Sequence, residues 1–340
     1  MPTVLPDAAA LLGAIELAVR APSVYNSQPW RWRVGPGGVD LFADPDRHLL
    51  AIDPDGRDLL LSCGAALHHL VVALAGLGCA ARVERFPDPE DSAHLARVTP
   101  LDSVPAPDVA SLVAAVARRR TDRRRFGADP VDGALLDGLV DRAAGCGADL
   151  HVVAGDARTQ LLGLITASAS LQRQQAGYAA ELARWTGRYA AARDGIRSDT
   201  VASGTGAAGT GAAGLPGDVP MRPFPRADLA QPPHSLEHGG EHGDASVLMV
   251  LSSRSDDRLG ALRAGEDASA VLLAATGTGL ATTPLSQPLE VTSTRAAIGD
   301  RIVGPQLFPQ LVLRVGWARP GAPDLAPTPR RAVDLVVRTA

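Results

Sequence analysis

Apolar residues recur every three to four positions in six segments of the chain, which is the spacing of one buried helix face. These predicted helices are residues 8–19, 56–77, 109–119, 134–144, 157–189 and 266–276. Shorter segments with strand character are residues 30–34, 39–42, 150–153, 246–251 and 310–317. Gly35 and Gly38 stand between the first two strands and favour a hairpin. The order of elements predicts an α+β fold that is rich in helix.

Two pairs of segments resemble each other along the chain. Residues 11–32 and 135–153 both pass from a helix through a loop into a strand, and the apolar helix at 64–81 is echoed at 265–283. Such repetition predicts two related halves, residues 1–117 and 118–340, that form a pseudo-dimer with one continuous core. Chance similarity between amphipathic helices is the alternative explanation.

One part of the second half has a different composition. Residues 201–217 consist largely of Gly, Ala and Thr, and the residues that follow are rich in Pro and His. Neither composition can build a core, so residues 190–245 are predicted to be an insertion, either a flexible linker or a lid over a site. Met221, Phe224 and Leu229 are apolar residues by which part of the insertion could dock on the body of the protein.

The overall composition narrows the function. The chain has 340 residues, 46% of them hydrophobic, with a net charge of -4, which is enough apolar sequence for a substantial core. All 33 basic residues are Arg, so functions that require a P-loop lysine, a Schiff-base lysine or a lysine base are excluded. The slightly acidic balance argues against a nucleic acid partner.

The distribution of charge and cysteine predicts a soluble cytoplasmic protein without a membrane partner. Asp7 and Glu16 interrupt the apolar N-terminal segment, which does not resemble a signal peptide. The longest apolar run is about 12 residues, whereas a helix that spans a bilayer needs roughly 20. The three cysteines, Cys63, Cys79 and Cys146, form no C-x-x-C pair, so neither a disulfide framework nor a cysteine zinc site is expected.

Two clusters of polar residues are candidates for chemistry. The stretch 20–32, RAPSVYNSQPWRW, leaves a helix, enters a strand, and carries short amide and hydroxyl groups that could face a flat heteroaromatic ring. A helix cap followed by a turn would explain the same residues. The second cluster has six arginines around Thr121, which could bind phosphate through guanidinium groups or could be a solvated basic face. Arg330 and Arg331 could converge with it on one phosphate.

Metal sites are less well supported. The residues from His238 to His242, HGGEH, match a metalloprotease pattern, but the glycines disfavour the helix that this chemistry needs. A surface that binds metal adventitiously is the remaining alternative for them. Cys63 lies with two histidines in an apolar helix and is predicted to pack in the core. Asp53 begins a sequence that resembles the start of a calcium loop, although helix capping explains it better. We therefore predict no metal site.

Taken together, several motifs resemble one protein family. The segments APSVYNSQPWRWRV, GRDLLLSCGAAL, RRRTDRRRF, GLATTPLSQPLE, PQLVLRVGWA and TPRRAVD occur in the order seen in Acg-type nitroreductase-like FMN flavoproteins. Members of this family are single chains that resemble a fused homodimer of the FMN-dependent nitroreductase fold. The match extends over nearly the whole chain and is far more specific than any one motif.

The resemblance implies which residues hold FMN. Contacts to the flavin ring or the ribityl chain are implied for Pro22, Ser23, Asn26 and Gln28. Contacts to the phosphate and the ribityl chain are implied for Arg119, Arg120, Thr121 and Arg123, together with the C-terminal Arg330 and Arg331. The segment near flavin N5 and O4 is implied to be Pro284, Leu285, Ser286 and Gln287. A second phosphate element is missing before Arg20, so we expect one FMN per chain.

The implied function is that of an FMN-dependent oxidoreductase. By resemblance, NAD(P)H would reduce the flavin at N5, and the flavin would reduce a nitroaromatic or a quinone. No side-chain acid or base is required, because the cofactor carries the chemistry. The alternative is a catalytically poor protein that sequesters or stores FMN beneath its lid. In either case we expect a monomer with an internal pseudo-dimer rather than a homodimer.

Overall fold

The computed structural model describes residues 5–189, 191–197, 219–222 and 244–339. Helices within these residues are α1 (Ala8–Ala18), α2 (Arg57–Gly76), α3 (Pro107–Ala110), α4 (Val113–Arg118), α5 (Gly133–Cys146), α6 (Gly155–Gln174), α7 (Tyr178–Trp185), α8 (Arg258–Gly277), α9 (Gln287–Glu290) and α10 (Thr292–Ile298). Strands are β1 (Trp30–Gly35), β2 (Gly38–Ala43), β3 (Ala80–Arg85), β4 (His94–Leu101), β5 (Asp149–Val153), β6 (Val247–Ser253), β7 (Ala281–Leu285), β8 (Phe308–Gly316) and β9 (Val337–Thr339). The predicted α+β class is confirmed.

The chain divides into two compact units. The first unit contains Met1–Arg119, Ser255–Gly277 and Arg330–Ala340, and its sheet has the order β3-β4-β2-β1-β9. Its strands are antiparallel except that β9 pairs with β1 in parallel. The second unit contains Arg120–Arg254 and Thr278–Pro329, and its antiparallel sheet has the order β5-β6-β8-β7.

The predicted hairpin between β1 and β2 is confirmed. The two strands pair in register from Trp30↔Ala43 to Gly35↔Gly38. Trp30 and Trp32 are buried on one face of β1, as the alternation of apolar and polar residues requires. Gly38 has φ 133°, and a Cβ atom there would lie 2.1 Å from the carbonyl oxygen of Val98. Only glycine can therefore occupy this turn without displacing β4.

Two long apolar helices of the first unit, α2 and α8, cross closely at a pair of glycines. A Cβ atom on Gly64 would lie 2.0 Å from the carbonyl oxygen of Leu262, and one on Gly265 would lie 2.1 Å from that of Leu61. Each leucine precedes the glycine of its own helix by three residues. The contact is thus reciprocal, which is the pattern of two related copies that meet across a two-fold axis.

The compact units do not coincide with the predicted halves. Helix α8 and the C-terminal residues from Arg330 onward belong to the first unit, although the sequence repeat assigns them to the second half. A division by compactness and a division by repetition are different properties of a chain. The two related halves, with a boundary near residue 117, therefore remain a prediction that the reciprocal glycine contact supports.

Several predicted elements needed correction. The single helix predicted over 109–119 is interrupted between the end of α3 at Ala110 and the start of α4 at Val113, and the one predicted over 157–189 between the end of α6 at Gln174 and the start of α7 at Tyr178. Gly177, in the left-handed region at φ 79°, precedes α7, and an extended Gln175 ends α6. Helix α8 begins earlier than predicted, at Arg258, because the Asp257 carboxylate accepts the Gly260 N–H at 2.7 Å. Strands β3, β4, β7 and β9 were not predicted.

Helix α2 is apolar enough, over its length, to meet the criteria for a membrane-spanning helix within the described residues. Most of it is buried inside the protein, where it packs against α1, α8 and the sheet of the first unit. Its start is capped by Asp53, whose two carboxylate oxygens accept the N–H groups of Asp58 and Leu59 at 3.0 and 2.8 Å. The predicted capping role of Asp53 is confirmed.

Candidate functional site

The loop that follows α1 in the first unit is strained. Tyr25, Asn26 and Gln28 have φ values of 50°, 52° and 51°, which place three nearby non-glycine residues in the left-handed region. Each such residue costs roughly 1–3 kcal/mol, and the conformation persists only when its surroundings impose it. Strain of this kind concentrates at ligand sites, and here it falls in the stretch that the sequence singled out.

Hydrogen bonds from short hydroxyl groups hold the loop in place. Ser23 Oγ accepts the Gln28 N–H at 3.0 Å and so bridges the strained turn. Ser62 Oγ, on helix α2, accepts the Val24 N–H at 3.1 Å. The loop is therefore anchored both to itself and to a core helix.

Gln28 is fully buried, and both ends of its carboxamide are engaged. Its Oε1 accepts the backbone N–H of Arg331 at 2.8 Å, and its Nε2 donates to the Asn26 carbonyl at 3.3 Å. The Arg331 guanidinium lies 3.5 Å from the buried carboxylate of Asp44. Burial and the neighbouring Arg47 lower the pKa of Arg331 from its ordinary value. These contacts tie the C-terminal segment to the loop within one unit.

Arg119 and Arg330, one residue from each arginine cluster, lie close together in the first unit, while the convergence of the clusters on a phosphate stays a prediction. Both donate to the carbonyl of Arg20, at 3.4 and 3.1 Å, just after the end of α1. Arg330 also donates to the carbonyls of Val19 and Ala21, each at 3.0 Å. Cations are favourable at the C-terminal end of a helix, where carbonyls lack intrahelical partners.

The side chains behind this cluster are neutral. Burial and the positive charge of Arg119 lower the pKa of His69 well below its ordinary value, and its Nδ1 donates to the Ala65 carbonyl at 2.9 Å. Burial raises the pKa of the Cys63 thiol. The prediction that Cys63 packs in the core is confirmed, since it is fully buried. His68 bonds Ser269 Oγ at 2.9 Å in the α2–α8 contact.

In the second unit, the arginine-rich stretch runs beside strand β7. Thr121 forms a parallel bridge with Thr282, and the Asp122 N–H donates to the Thr282 carbonyl at 2.9 Å. Thr283 Oγ1 donates in return to the Asp122 carbonyl. The predicted phosphate-binding element is therefore held against β7, the strand that contains Pro284.

The arginines of this stretch differ in their surroundings. The Asp122 carboxylate forms a bidentate pair with Arg124, at 2.7 and 2.9 Å. Arg120 Nε donates to the Leu325 carbonyl at 3.2 Å. Arg123 is different, because desolvation lowers the pKa of its guanidinium to about 10 and Asp122 offsets this only in part. A desolvated cation of this kind suits an anionic ligand.

The segment predicted to face the flavin edge joins β7 to α9. Pro284 and Leu285 are the last two residues of β7, Ser286 follows, and Gln287 begins α9. Leu285 is buried in the core of the second unit, whereas Ser286 is half-buried. Pro284 and Leu285 pair with β8, and Ser286 and Gln287 form the start of a helix, where the first N–H groups have no intrahelical acceptor.

A buried carboxylate that the sequence analysis missed lies behind this segment. Glu290 has a fully buried side chain and accepts Ser286 Oγ at 2.7 Å and Gln172 Nε2 at 2.5 Å. Gln172 Oε1 accepts Gln287 Nε2 at 3.0 Å. The useful signal is a single acidic residue directly after TTPLSQPL, a stretch without charged residues.

A short part of the insertion is packed on the second unit. Arg222 Nη2 lies 2.7 Å from Glu290 Oε1, and only 9% of the Arg222 side chain is exposed. Val219 and Met221 join the core of the unit, which confirms Met221 as an apolar anchor. Phe224, Leu229 and the HGGEH motif lie outside the described residues, as do residues 190, 198–218 and 223–243 of the predicted insertion.

The predicted site residues thus fall into two sets, one in each unit. The first unit holds Pro22, Ser23, Asn26, Gln28, Arg119, Arg330 and Arg331. The second unit holds Arg120, Thr121, Arg123, Pro284, Leu285, Ser286 and Gln287. Neighbours that the sequence analysis missed are Asp44, Gln172, Arg222 and Glu290.

Comparison with known proteins identifies the family. No family profile matches the sequence. A Mycobacterium tuberculosis protein provisionally named NAD(P)H nitroreductase is 43% identical over 343 residues, which cover 99% of this chain and 93% of the relative. Another protein of that organism, provisionally named NAD(P)H nitroreductase acg, is 37% identical over 341 residues, which cover 99% and 97%. The chain is therefore an α+β protein of the nitroreductase class. It belongs to the family of Acg-type nitroreductase-like proteins.

Solved structures of nitroreductases are more distant. A Bacteroides fragilis nitroreductase with bound FMN has 12% identity and a TM-score of 0.40, with 65% of this chain and 95% of that chain covered. The FMN-dependent NfnB of Mycobacterium smegmatis, in complex with NADPH, has 17% identity and a TM-score of 0.38, with 67% and 99% covered. Likeness at this level does not bear on individual residues.

Proposed function

We propose that this protein binds FMN and uses it to transfer electrons from NAD(P)H to a nitroaromatic or quinone acceptor. The observation that carries the proposal is the strained loop Ser23–Gln28, with Arg119 and Arg330 gathered at its start within the first unit. Strained backbone beside paired cations suits a flat, anionic cofactor better than it suits a structural turn. The names of the full-length relatives support the same assignment.

The residues of the first unit fit FMN by their donor set. Ser23 and Asn26 offer hydroxyl and amide groups to the ring and the ribityl chain, and Pro22 offers an apolar surface. Ser27 Oγ is fully buried without a hydrogen-bond partner among the described residues. A buried polar atom of this kind is normally satisfied, so a bound polar group or water would complete this loop.

The residues of the second unit fit a phosphate. Arg123 is a half-buried cation whose pKa is lowered by desolvation, and Thr282 Oγ1 is buried without a hydrogen-bond partner in the described part of the chain. Arg120 and Thr121, which precede Arg123 by three and two residues, add a guanidinium and a hydroxyl. A phosphate would stabilise the charged form of Arg123 and thereby offset its desolvation.

When bound, FMN supplies the redox chemistry, accepting electrons from NAD(P)H and passing them to the acceptor. The chain supplies binding and orientation. In the first unit, Ser23 and Asn26 orient the cofactor, while Gln28 and Arg331 keep the loop in its strained shape. In the second unit, Arg123 neutralises charge, and the segment Pro284–Gln287 presents a rigid edge. None of these roles requires a side chain that gains or loses a proton.

The decisive measurement is a visible spectrum of the purified protein under anaerobic conditions, before and after NADPH is added. A flavin band that bleaches supports the proposed oxidoreductase. The absence of flavin, even after incubation with FMN, would remove the proposal. A flavin band that persists would instead favour FMN storage, a second candidate supported by the burial of Val219 and Arg222, part of the insertion, against the second unit.

The phosphate assignment has its own test. We expect Arg123→Ala and Arg330→Ala each to weaken FMN binding by roughly 1.5–3 kcal/mol, the range for a lost hydrogen bond to a charged group. Arg295→Ala is a suitable control, because Arg295 also donates to a backbone carbonyl, that of Pro309 at 2.9 Å. FMN affinity that is unchanged in both test variants would refute the assignment.

A further inference from the structure

The buried carboxylate of Glu290 has no role in the proposed binding of FMN, yet it is the centre of a polar network in the second unit. Three side chains donate to it: Ser286 at 2.7 Å, Gln172 at 2.5 Å and Arg222 at 2.7 Å. A carboxylate removed from water requires this degree of compensation. The network connects the described part of the insertion with the turn that follows β7.

The direction of these hydrogen bonds fixes what Ser286 can offer to a ligand. An ionised carboxylate only accepts, so the single hydroxyl proton of Ser286 is committed to Glu290. The remaining capacity of Ser286 Oγ is that of an acceptor. Gln172 is oriented by the same carboxylate, and its Oε1 then receives Gln287 Nε2 at 3.0 Å.

The charge of the network is balanced by the insertion. Glu290 lies on the turn that carries Ser286 and Gln287, whereas Arg222 comes from the described segment 219–222. Both charged side chains are buried, so their fields are weakly screened. The carboxylate also affects Tyr178, because burial and the negative charge of Glu290 raise the pKa of the Tyr178 phenol.

We propose that Glu290 is a positioning residue for the flavin edge: it fixes Ser286 as a hydrogen-bond acceptor and, with Arg222, sets the electrostatic field at the segment Pro284–Gln287. The inference rests on the proposed binding of FMN. It assigns a role to Gln172 and Arg222, which lie outside the family motifs quoted above, and to Glu290, the last residue of the motif GLATTPLSQPLE, for which the resemblance implied no contact with FMN.

The test uses Glu290→Gln alone and together with Arg222→Met, in the full chain. Glu266→Gln is the matched control, because Glu266 is a buried glutamate in a bidentate pair with Arg85, at 2.7 and 2.8 Å, and lies in the first unit. The double variant removes both charges of the pair and keeps the fold measurable if the single variant is too unstable.

The first readout is hydrogen exchange in protein without FMN. We expect Glu290→Gln to speed exchange in residues 219–222 and 284–290 by about tenfold or more, as befits a lost hydrogen bond to a charged group. Exchange in these two segments should be unchanged in Glu266→Gln. Acceleration in these two segments that is no greater than in the rest of the chain would show that Glu290 contributes only to global stability, and would overturn the inference.

The second readout is the reduction potential of bound FMN. Removal of the negative charge in Glu290→Gln should raise the potential, because electrons are added more easily near a net positive charge. The double variant should return the potential close to the wild-type value. If wild-type protein binds FMN and the potential is the same in all variants, the inference fails. If wild-type protein binds no FMN, the proposed function fails first, and the exchange result still reports on the network.

Discussion

The loop Ser23–Gln28 and the segment Pro284–Gln287 both carry residues that are predicted to contact the cofactor, but the two regions are stabilised in different ways. The loop, in the first unit, is strained and is held by several separate hydrogen bonds. Ser23, Ser62 and Gln28 form neutral ones, and the guanidinium groups of Arg47 and Arg331 donate to the carbonyls of Ser27 and Gln28. The segment, in the second unit, has no positive φ among its non-glycine residues and is held by one buried charge, Glu290. One region therefore spreads its stabilisation over several modest bonds, and the other concentrates it in a single pair.

The difference determines how each region responds to substitution. A neutral hydrogen bond contributes about 0.5–1.5 kcal/mol, so a loop with several of them tolerates the loss of one. An ion pair in a low dielectric contributes little as a pair, but removal of one partner leaves a buried charge uncompensated. The second region should consequently be the more fragile toward single changes and the more tolerant of paired ones.

The largest effect should come from Arg222→Met. This change leaves the fully buried Glu290 without its cation, which typically costs about 3–5 kcal/mol in the free energy of unfolding. Denaturation by urea provides the measurement, and the double variant with Glu290→Gln should recover most of the loss. If Arg222→Met alone is as stable as wild type, the ion pair is not what stabilises the second region, and both regions depend on several modest hydrogen bonds.

The two units also differ in the direction in which the pKa of a buried aspartate is shifted. In the first unit, desolvation and the neighbouring Glu266 raise the pKa of Asp267 to about 8, opposed by Arg85 and Arg263. In the second unit, Arg314 and hydrogen bonds from Ser246 outweigh desolvation and lower the pKa of Asp244. The folded pKa of Asp267 lies above the unfolded value, and that of Asp244 lies below it.

The pH dependence of stability follows from these signs. The folded protein keeps the Asp267 proton that the unfolded chain loses near pH 4, so this contribution to stability falls as pH rises from about 4 to about 8, by at most about 1.4 kcal/mol per pH unit. The contribution of Asp244 is present above about pH 4 and is lost as pH falls below it.

Urea denaturation at pH 5 and at pH 8 separates the two effects, both values lying roughly within the window expected for Asp267. Asp267→Asn should make stability less dependent on pH in this range and should stabilise the protein most at the higher pH. The exposed Asp137→Asn serves as the control. A wild-type protein that gains stability as pH rises through this range would contradict the assignment of Asp267.

Apolar periodicity predicted the larger elements of the fold, because α1, α5 and the hairpin each bury one regular face, while α2 is apolar and buried over most of its length. It failed where burial is not periodic. Strand β9 has three residues and depends on pairing with β1, and β7 contains Pro284, which disfavours a strand prediction. The break between α6 and α7 depends on backbone angles at Gln175 and Gly177 that the apolar pattern does not encode.

The candidate site was predictable to the extent that its residues are contiguous in motifs. The stretch around Asn26, the arginine cluster and the segment from Pro284 were all found as local patterns. Glu290 and Arg222 were missed because they are separated by 68 residues, and each looks ordinary by itself. Asp44, which lies beside Arg331, was missed for the same reason.

A smaller effect is expected for Gln28→Met, which tests the neutral network. The change removes the acceptor for the Arg331 N–H and the donor to the Asn26 carbonyl, for a loss of about 1–3 kcal/mol. Gln310→Met is the matched control, since Gln310 is also fully buried and donates to Ser253 Oγ at 2.8 Å. The two variants should lose similar stability, while only Gln28→Met should weaken FMN binding. Equal FMN affinity in the two variants would show that Gln28 does not contribute to FMN binding.

The smallest effect on stability is expected for Asn26→Gly, and its sign separates strain from contact. Asn26 has φ 52°, a conformation that glycine adopts without strain, so the free energy of unfolding should rise by less than about 1 kcal/mol. The reverse change, Gly78→Asn, places asparagine at φ 82° in open space and should lower it by a similar amount. FMN affinity should fall in Asn26→Gly, because the carboxamide is lost, and should not change in Gly78→Asn. A loss of stability in Asn26→Gly would mean that side-chain contacts of Asn26 stabilise the loop, and that relief of backbone strain is the smaller effect. The loop and the segment Pro284–Gln287 would then differ only in the number of hydrogen bonds that hold them.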